Sequence, residues 1–411
     1  MRGIRRTDRT LQPANSWPVN RNGGNFQPSK LRWESHHGFS RACWPVIQGI
    51  TVMGDVIRPD GRGQPGGVDR TTVWLFDAIK RQLNLACGLP VDVITAIGIP
   101  ALHAWLGTLR SPSAAHRYWA RWHEVLPPSA EVDQILIDRL RHRFCVGYEM
   151  PPWLRGLLTA IDAPYIDLRL HPVRFLDDLL FAARASEPVT QTALLAMAVP
   201  EAEVIVTAGL REAMCHMISE AAVPADTLIV VGQRPLDCSQ IIDGAFYDAL
   251  PRASEIHAIC ARYAAVLLKP HPLEPEHSLL EITSGAPNVA GVVGDNIYRL
   301  MSLPQIAAVL TVNSSIAYEA PYFGKRVHTL APPPVQLGWR GMADKANLYA
   351  SLDDRVLSID FWRRVLVPHM PVSQPDGMRL PPKANRLRIA LDSFWNFQEI
   401  DTDRIPGRPG A

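Results

Sequence analysis

The sequence predicts an α/β protein built from two parallel sheets, each covered on both faces. Three observations predict it. Short, almost wholly apolar β-rich runs alternate with helix-like stretches between Asp226 and Pro332. The same alternation, noisier, runs through residues 46–224. The polar residues that do not suit a core fall where the strand-like runs end, the usual place for a ligand in such sheets.

The second half is the clearer. "TLIVVGQ", "AAVLLKP", "AGVVGD", "IAAVLTVN" and "RVHTLAP" read as strands too apolar to leave one face in water. "ASEIHAICARYA", "PEHSLLEI", "NIYRLMSLP" and "SIAYEAPYFG" read as the helices between them, and Gly324 suits a left-handed C-cap on the last. In the first half "TTVWLFDAIKRQL" reads as a helix and "VDVITAIG" as a strand. "FCVGYEM" is a strand, "PPWLRGLLTAI" a helix opened by proline, and "YIDLRL" a strand. "RFLDDLLFAARA" and "QTALLAMAVPEAEVIVTAGLREAMCHMISEA" are expected to be helical, and "KANRLRIALDSFWNFQ" to form a closing helix. The expected organisation is a flexible extension over residues 1–45, Rossmann-like domains over 46–224 and 225–370, and a crossing segment with its closing helix over 371–411. "RPDGRGQPGG", Arg58 to Gly67, reads as a loop.

Composition narrows the function classes. The 411 residues are 47% hydrophobic and 20% charged, enough for two cores. A net charge of +2 makes no case for nucleic acid as a partner. Six scattered cysteines without a C-x-x-C pair read as reduced, buried thiols. No apolar run is long enough to span a bilayer, and the basic start "MRGIRRTDRT" lacks the apolar stretch of a signal peptide. The expected location is the cytoplasm, at the inner face of the membrane if the basic start makes a contact there.

The strand ends supply the candidate site. "VVGQRPLDCS" releases Gln233 and Asp237, "LLKPHP" releases Lys269 and His271, and "LTVNSS" releases Asn313, Ser314 and Ser315. In the first half "VGYEMPP" ends on Glu149, and "DLRLHPVRF" carries Arg169, His171 and Arg174. Each has a plainer reading. The serines could be an N-cap, and His-Pro a stiff turn. Asp237 and Glu149 could cap the segments that follow them, and Arg174 could pair with Asp177 or Asp178. Glu319 could be a solvated helical face or reach a ribose, and Trp339 could be core or pocket wall. No metal-ligating Asp-x-Asp, Walker loop or GxGxxG appears. That pattern suits a metal-free site for a nucleoside-monophosphate sugar.

In this order, "YEMPPWL", "YIDLRLHPVRFLDDLLF", "GQRPLDCS", "KPHP" and "NSSIAYEAPYFGKRVHTLAP" resemble the bacterial retaining β-Kdo transferases. The resemblance spans residues 140 to 340. The HP and SS motifs alone are shared with bacterial sialyltransferases. The "RPL" before Asp237 is bulkier than the family pattern, and the N-terminal extension matches none.

The resemblance implies a GT-B-like fold, with two Rossmann-like domains facing a cleft and a C-terminal helix returning to the first. It implies a CMP-Kdo donor, no cofactor or metal, and a glycan acceptor, lipid-linked, in surface polysaccharide assembly. By the same resemblance Asp237 is the nucleophile and Glu149 the base for the acceptor. Lys269, His271, Ser314 and Ser315 would hold the CMP phosphate, with Gln233, Asn313 and Glu319 also on the donor side. Arg169 or Arg174, with His171, would meet the sugar and its carboxylate. Two alternatives stand beside this: an inverting CMP-sugar transferase, and an inactive glycan-binding subunit of an assembly complex.

Overall fold

The chain builds its first sheet from β1 (Gly49–Met53), β2 (Val91–Ile94), β3 (Arg143–Tyr148), β4 (Tyr165–Leu170) and β5 (Phe181–Ala185). A second sheet follows, from β6 (Thr227–Val231), with a two-residue hairpin β7 (Ile241–Ile242) and β8 (Ala245–Phe246) beside it. β9 (Ala265–Lys269), β10 (Val289–Val292), β11 (Ile306–Thr311) and β12 (Arg326–Thr329) complete it. The chain then returns to the first sheet with β13 (Gln336–Gly338) and β14 (Leu348–Leu352). The structure is a computed structural model, and it describes residues 46–106, 111–125, 130–216, 223–342, 347–374 and 386–391.

The second sheet is wholly parallel, in the order β10-β9-β6-β11-β12. Its inner strands are buried along almost their whole length, as double coverage by helices demands. Gly324 sits at φ 68° after the short helix Ile316–Glu319 and its 3-10 extension, in the left-handed cap its position suggests.

The first sheet runs β13-β14-β5-β4-β3-β1-β2 and is parallel except at β5, which is antiparallel to both β4 and β14. "RFLDDLLFAARA" is therefore not a helix: its second half is β5. Phe181, Ala182 and Ala183 are fully buried there, and ladder hydrogen bonds on both sides outweigh the modest helix preference of alanine. The long run after it breaks at Pro200 into the helices Pro188–Met197 and Glu201–His216, because proline bars the residue before it from continuing a helix.

The return of the chain also comes earlier than the expected crossing over 371–411. Leu348, Ala350 and Leu352 of β14, and Trp362 of the helix Ile359–Leu366, are buried in the first core. The wholly buried β14 needs a neighbour on each edge, and finds them in β5 and β13. Part of the closing helix, Arg386–Leu391, packs on the same core: Leu387 is buried, and Trp74 Nε1 donates to the Ala390 carbonyl at 2.9 Å. The expected extension over residues 1–45 lies outside the described residues. Both sheets belong to one compact unit of the chain. Among the described residues no single helix is long and apolar enough to cross a membrane. The four cysteines whose side chains are described are free thiols; Cys145 and Cys260 are buried, Cys87 and Cys238 half-buried.

Candidate active site

A cleft of about 520 Å³ opens at the carboxyl ends of the strands of both sheets. Glu149 reaches it after β3, Arg169 and Arg174 from the end of β4 and beyond, Gln233 and Asp237 after β6, His271 after β9, and Asn313 to Ser315 after β11.

Glu149 turns into the cleft through a strained backbone. Its φ is 49°, a left-handed conformation that costs a residue with a Cβ about 1–2 kcal/mol. Two hydrogen bonds hold it there: Glu149 N donates to the Leu168 carbonyl, and Met150 N to Asp167 Oδ1, both at 2.8 Å. The helix after it, Pro152–Ala160, has no side-chain cap, so Glu149 is not spent on capping. Asp237 divides its two oxygens. Oδ1 accepts from Ser239 N at 2.9 Å and caps the turn Cys238–Gln240, while Oδ2 faces Arg58.

Between the two carboxylates lies Arg58. Its Nη1 is 3.4 Å from Glu149 Oε2 and its Nη2 is 3.7 Å from Asp237 Oδ2. Burial raises the Glu149 pKa and Asp237 adds to it, with Arg58 only partly offsetting them. Burial also pushes on Asp237, but Arg58 and the hydrogen bonds from Ser239 outweigh it and leave its pKa below the ordinary value. Two neighbouring acids are thus driven apart, the arrangement that separates a group kept ionised from one able to carry a proton.

Arg58 is itself firmly placed. Its carbonyl accepts from Gly66 N and Gly67 N, and its Cζ lies 5.0 Å from the centre of the Trp119 ring. A Cβ at Gly67 would fall 2.4 Å from the Pro59 carbonyl oxygen, so the loop can close this tightly only on glycine. Beneath, buried Asp55 accepts from Trp119 Nε1 at 2.8 Å and Trp153 Nε1 at 3.3 Å, and burial raises its pKa to about 6. His123, on the cleft wall with Nδ1 3.8 Å from Asp55 Oδ2, is held neutral by burial and by nearby arginines, at about 4.

The arginines on the first-sheet side differ in their commitments. Asp167, fully buried, accepts at Oδ2 from Arg155 Nη1 and Arg169 Nη2, each at 3.3 Å, and from the Tyr349 hydroxyl at 2.7 Å. Arg169 also lies over the Tyr349 ring. Arg174 pairs with neither Asp177 nor Asp178: Asp177 binds Arg211, and Asp178 accepts from the closing helix at Leu387 N and Arg388 N. Arg174 lines the cleft, and its buried Nε has no hydrogen-bond partner. Its backbone N–H is held at 2.7 Å by Glu319, which also accepts from the Tyr298 hydroxyl at 2.9 Å. Glu319 is neither solvated nor on the cleft wall; burial raises its pKa to about 7.

His171 stands apart from the cleft as well. Its Nδ1 accepts from Val173 N, its Nε2 meets Ser351 Oγ at 3.0 Å, and Ser351 Oγ donates to the Gly338 carbonyl. Burial holds the ring neutral, at about 3, so it pins the end of β4 to β14 and β13. Trp339 is core, 5.4 Å from the His171 ring.

On the second-sheet side, Gln233 and Asn313 satisfy one another. Gln233 Nε2 donates to Asn313 Oδ1 at 2.9 Å, and Asn313 N donates to Gln233 Oε1 at 3.1 Å. Asn313 Nδ2 then donates to the Ser239 carbonyl at 2.7 Å, which ties the Asp237 turn to the end of β11. Ser314 and Ser315 line the cleft, and the Ser315 hydroxyl makes no capping bond. His271 lines it too. Its Nδ1 accepts from Leu273 N, and burial and Arg234 lower its pKa, so it is a neutral donor through Nε2. Lys269 does not reach the cleft wall; its Nζ lies 3.5 Å from the Gly294 carbonyl.

Sequence reasoning missed Arg58, Asp55 and Asp167. The first two follow β1, whose run "GITVM" precedes a Gly- and Pro-rich loop much as "AVLLK" precedes "PHP", and that parallel was the available signal. Asp167 lies inside a strand-like run, where nothing local marks it.

Fold and site define a mixed α/β protein, mostly of parallel strands, whose cleft sets two electrostatically distinct carboxylates among arginines. Among the described residues no group of three or more His, Cys, Asp or Glu side chains is disposed to hold a metal ion. No family model and no curated protein matches the chain. Among solved structures it is similar to a β-Kdo 2,7 transferase of Thermosulfurimonas dismutans KpsC, with 16% identity over 67% of this chain and 90% of that one, TM-score 0.32. The β-Kdo 2,4 transferase of the same protein gives 13% identity over 54% and 78%, TM-score 0.33. A UDP-GlcNAc 2-epimerase from Neisseria meningitidis gives 12% over 68% and 81%, TM-score 0.22. Likenesses of this size assign neither family nor activity.

Proposed function

We propose that the chain is a GT-B-like glycosyltransferase that moves Kdo from CMP-β-Kdo to a glycan acceptor with retention at the anomeric carbon. One observation carries the reading: Glu149 and Asp237 share a cleft, and their pKa values are displaced in opposite directions.

In this reading ionised Asp237 attacks C2 of Kdo, a C2–carboxylate bond forms, and the C2–O bond to phosphate breaks with its electron pair leaving on CMP. The acceptor hydroxyl then attacks C2 while Glu149 takes its proton, and Asp237 is released as carboxylate. His271 and the Ser314 and Ser315 hydroxyls are the neutral donors that would meet the leaving phosphate, and Arg174 supplies the positive charge beside them. A phosphate monoester leaves without metal assistance in this scheme. The acceptor is a lipid-linked glycan of bacterial O-antigen or capsule assembly, met from the cytoplasm at the inner membrane face.

The test is mass spectrometry of Glu149→Gln after incubation with CMP-Kdo. A mass increase of one Kdo on the peptide containing Asp237 is expected. Transfer by the parent without any adduct in the variant would point to the inverting transferase. Glycan binding without release of CMP from any CMP-sugar would point to the binding subunit.

A further inference from the structure

We infer that Arg58 receives the carboxylate of the donor sugar, giving up its bridge between Glu149 and Asp237 to do so. The inference rests on the proposed donor, a sugar whose carboxylate is attached to the reacting carbon.

The bridge is loose. Contacts of 3.4 and 3.7 Å are well beyond the roughly 2.7–2.9 Å of a well-formed guanidinium–carboxylate pair. They engage few of the five N–H donors of the group. The guanidinium is nonetheless fixed in place, stacked on Trp119 and held by the closed loop from Arg58 to Gly67. It is a pre-placed cation whose polar side-chain partners are the two carboxylates proposed to react.

The chemistry requires a cation at that point. For Asp237 to attack C2, its oxygen must come within bonding reach of the carbon that bears the sugar's own carboxylate. Two anions then meet at one atom's distance, beside a third acid in Glu149. The arginines that line the cleft are less suited, and Arg234 among them is paired with Glu274, Nε to Oε1 at 2.7 Å. Arg155 and Arg169 are already shared on Asp167. Arg174 is anchored through its backbone to Glu319, on the helix that follows the two serines, which places it for the phosphate. Arg58 stands behind that wall, and its guanidinium lies 3.7 Å from Asp237 Oδ2. A planar fork there grips a carboxylate through two parallel bonds and orients C2, which a lysine ammonium cannot reproduce.

The experiment has two arms. In the first, CMP-Kdo turnover and CMP affinity by calorimetry are measured for the parent, Arg58→Lys and Arg58→Gln. The expected result is a loss of about 100-fold or more in kcat/KM for Arg58→Gln, a smaller loss for Arg58→Lys, and CMP affinity within about twofold in both. Intact CMP binding reports that the variants are folded. In the second arm, which needs no variant, crystals of the parent are soaked with free Kdo, and the sugar carboxylate is expected within hydrogen-bond distance of the Arg58 guanidinium. Turnover by Arg58→Gln within about threefold of the parent would overturn the inference, as would a carboxylate bound by Arg174 or Arg169 instead. Failure of the parent to release CMP from any CMP-linked ulosonic acid would overturn the proposed function itself, and is read before any variant is made.

Discussion

Arg58 Nη1 lies 3.4 Å from Glu149 Oε2, across 91 residues of sequence, and the same guanidinium approaches Asp237. One cation therefore biases two acids, and the pH dependence of the reaction should carry its mark. Glu149 must be ionised to take the acceptor proton, and its pKa is raised, so activity is expected to fall in acid at a pH above the ordinary glutamate range. Asp237, with its pKa lowered, stays ionised throughout that fall. Arg58→Gln removes a positive charge that favours the glutamate anion, so the acidic limb of kcat/KM should move to higher pH. A pH–rate profile of the residual activity checks this. A limb that stays put or moves down would contradict it.

Asp237→Asn is expected to separate chemistry from folding. Asparagine can still accept from Ser239 N and keep the cap on the turn, so the melting temperature should stay within a few degrees of the parent. Transfer should drop roughly a thousandfold or more, because an amide is not a nucleophile at carbon. Calorimetry and initial rates on the same preparation test both halves.

Asn313→Ala should cost both stability and rate. It strands the buried Gln233 Nε2 and the Ser239 carbonyl, each hydrogen-bonded to the Asn313 side chain in the native fold. Leaving such groups unpaired costs about 1–3 kcal/mol, visible as a lower midpoint in urea. The freed Ser239 segment carries Asp237, so kcat should fall with it, while a variant on the far side of the same sheet should lose stability alone.

Glu319→Gln should change the pH dependence of stability. The Glu319 pKa rises from 4.5 in a free carboxyl to about 7 in the fold. The stability of the protonated form is therefore fully present below about 4.5 and lost as pH rises through about 7, a cost on the order of 3 kcal/mol. Glutamine keeps the acceptor oxygen for Arg174 N and the Tyr298 hydroxyl without ionising. Thermal melts between pH 5 and 8 should show the variant gaining on the parent as pH rises. A constant difference would place the proton elsewhere.

Much of the cleft was legible because parallel strands end on the same side of a sheet. Glu149, Asp237, His271 and Ser314–Ser315 each follow an apolar run, and all line the cleft. Lys269 shares that grammar and yet turns away to the Gly294 carbonyl, since a residue's place at a strand end does not settle the direction of a long side chain. His171 and Glu319 carry polar groups that read as ligands, but burial against Ser351, Val173, Arg174 and Tyr298 makes them internal ties.

By itself the sequence determined the alternation of buried strands and helices, and with it the end of each strand where polar residues could gather. These are local properties, written in periodicity and in proline and glycine positions. Only the tertiary structure decided that "FAARA" is a strand, since its partners β4 and β14 come from either side of it in the chain. Only it decided that Arg58 stands between Glu149 and Asp237, and that Asp167 binds Arg155, Arg169 and Tyr349 at one buried point. Apart from Arg169, two positions from Asp167, these contacts join residues 12 to 182 positions apart, and their strength depends on burial that no local pattern encodes.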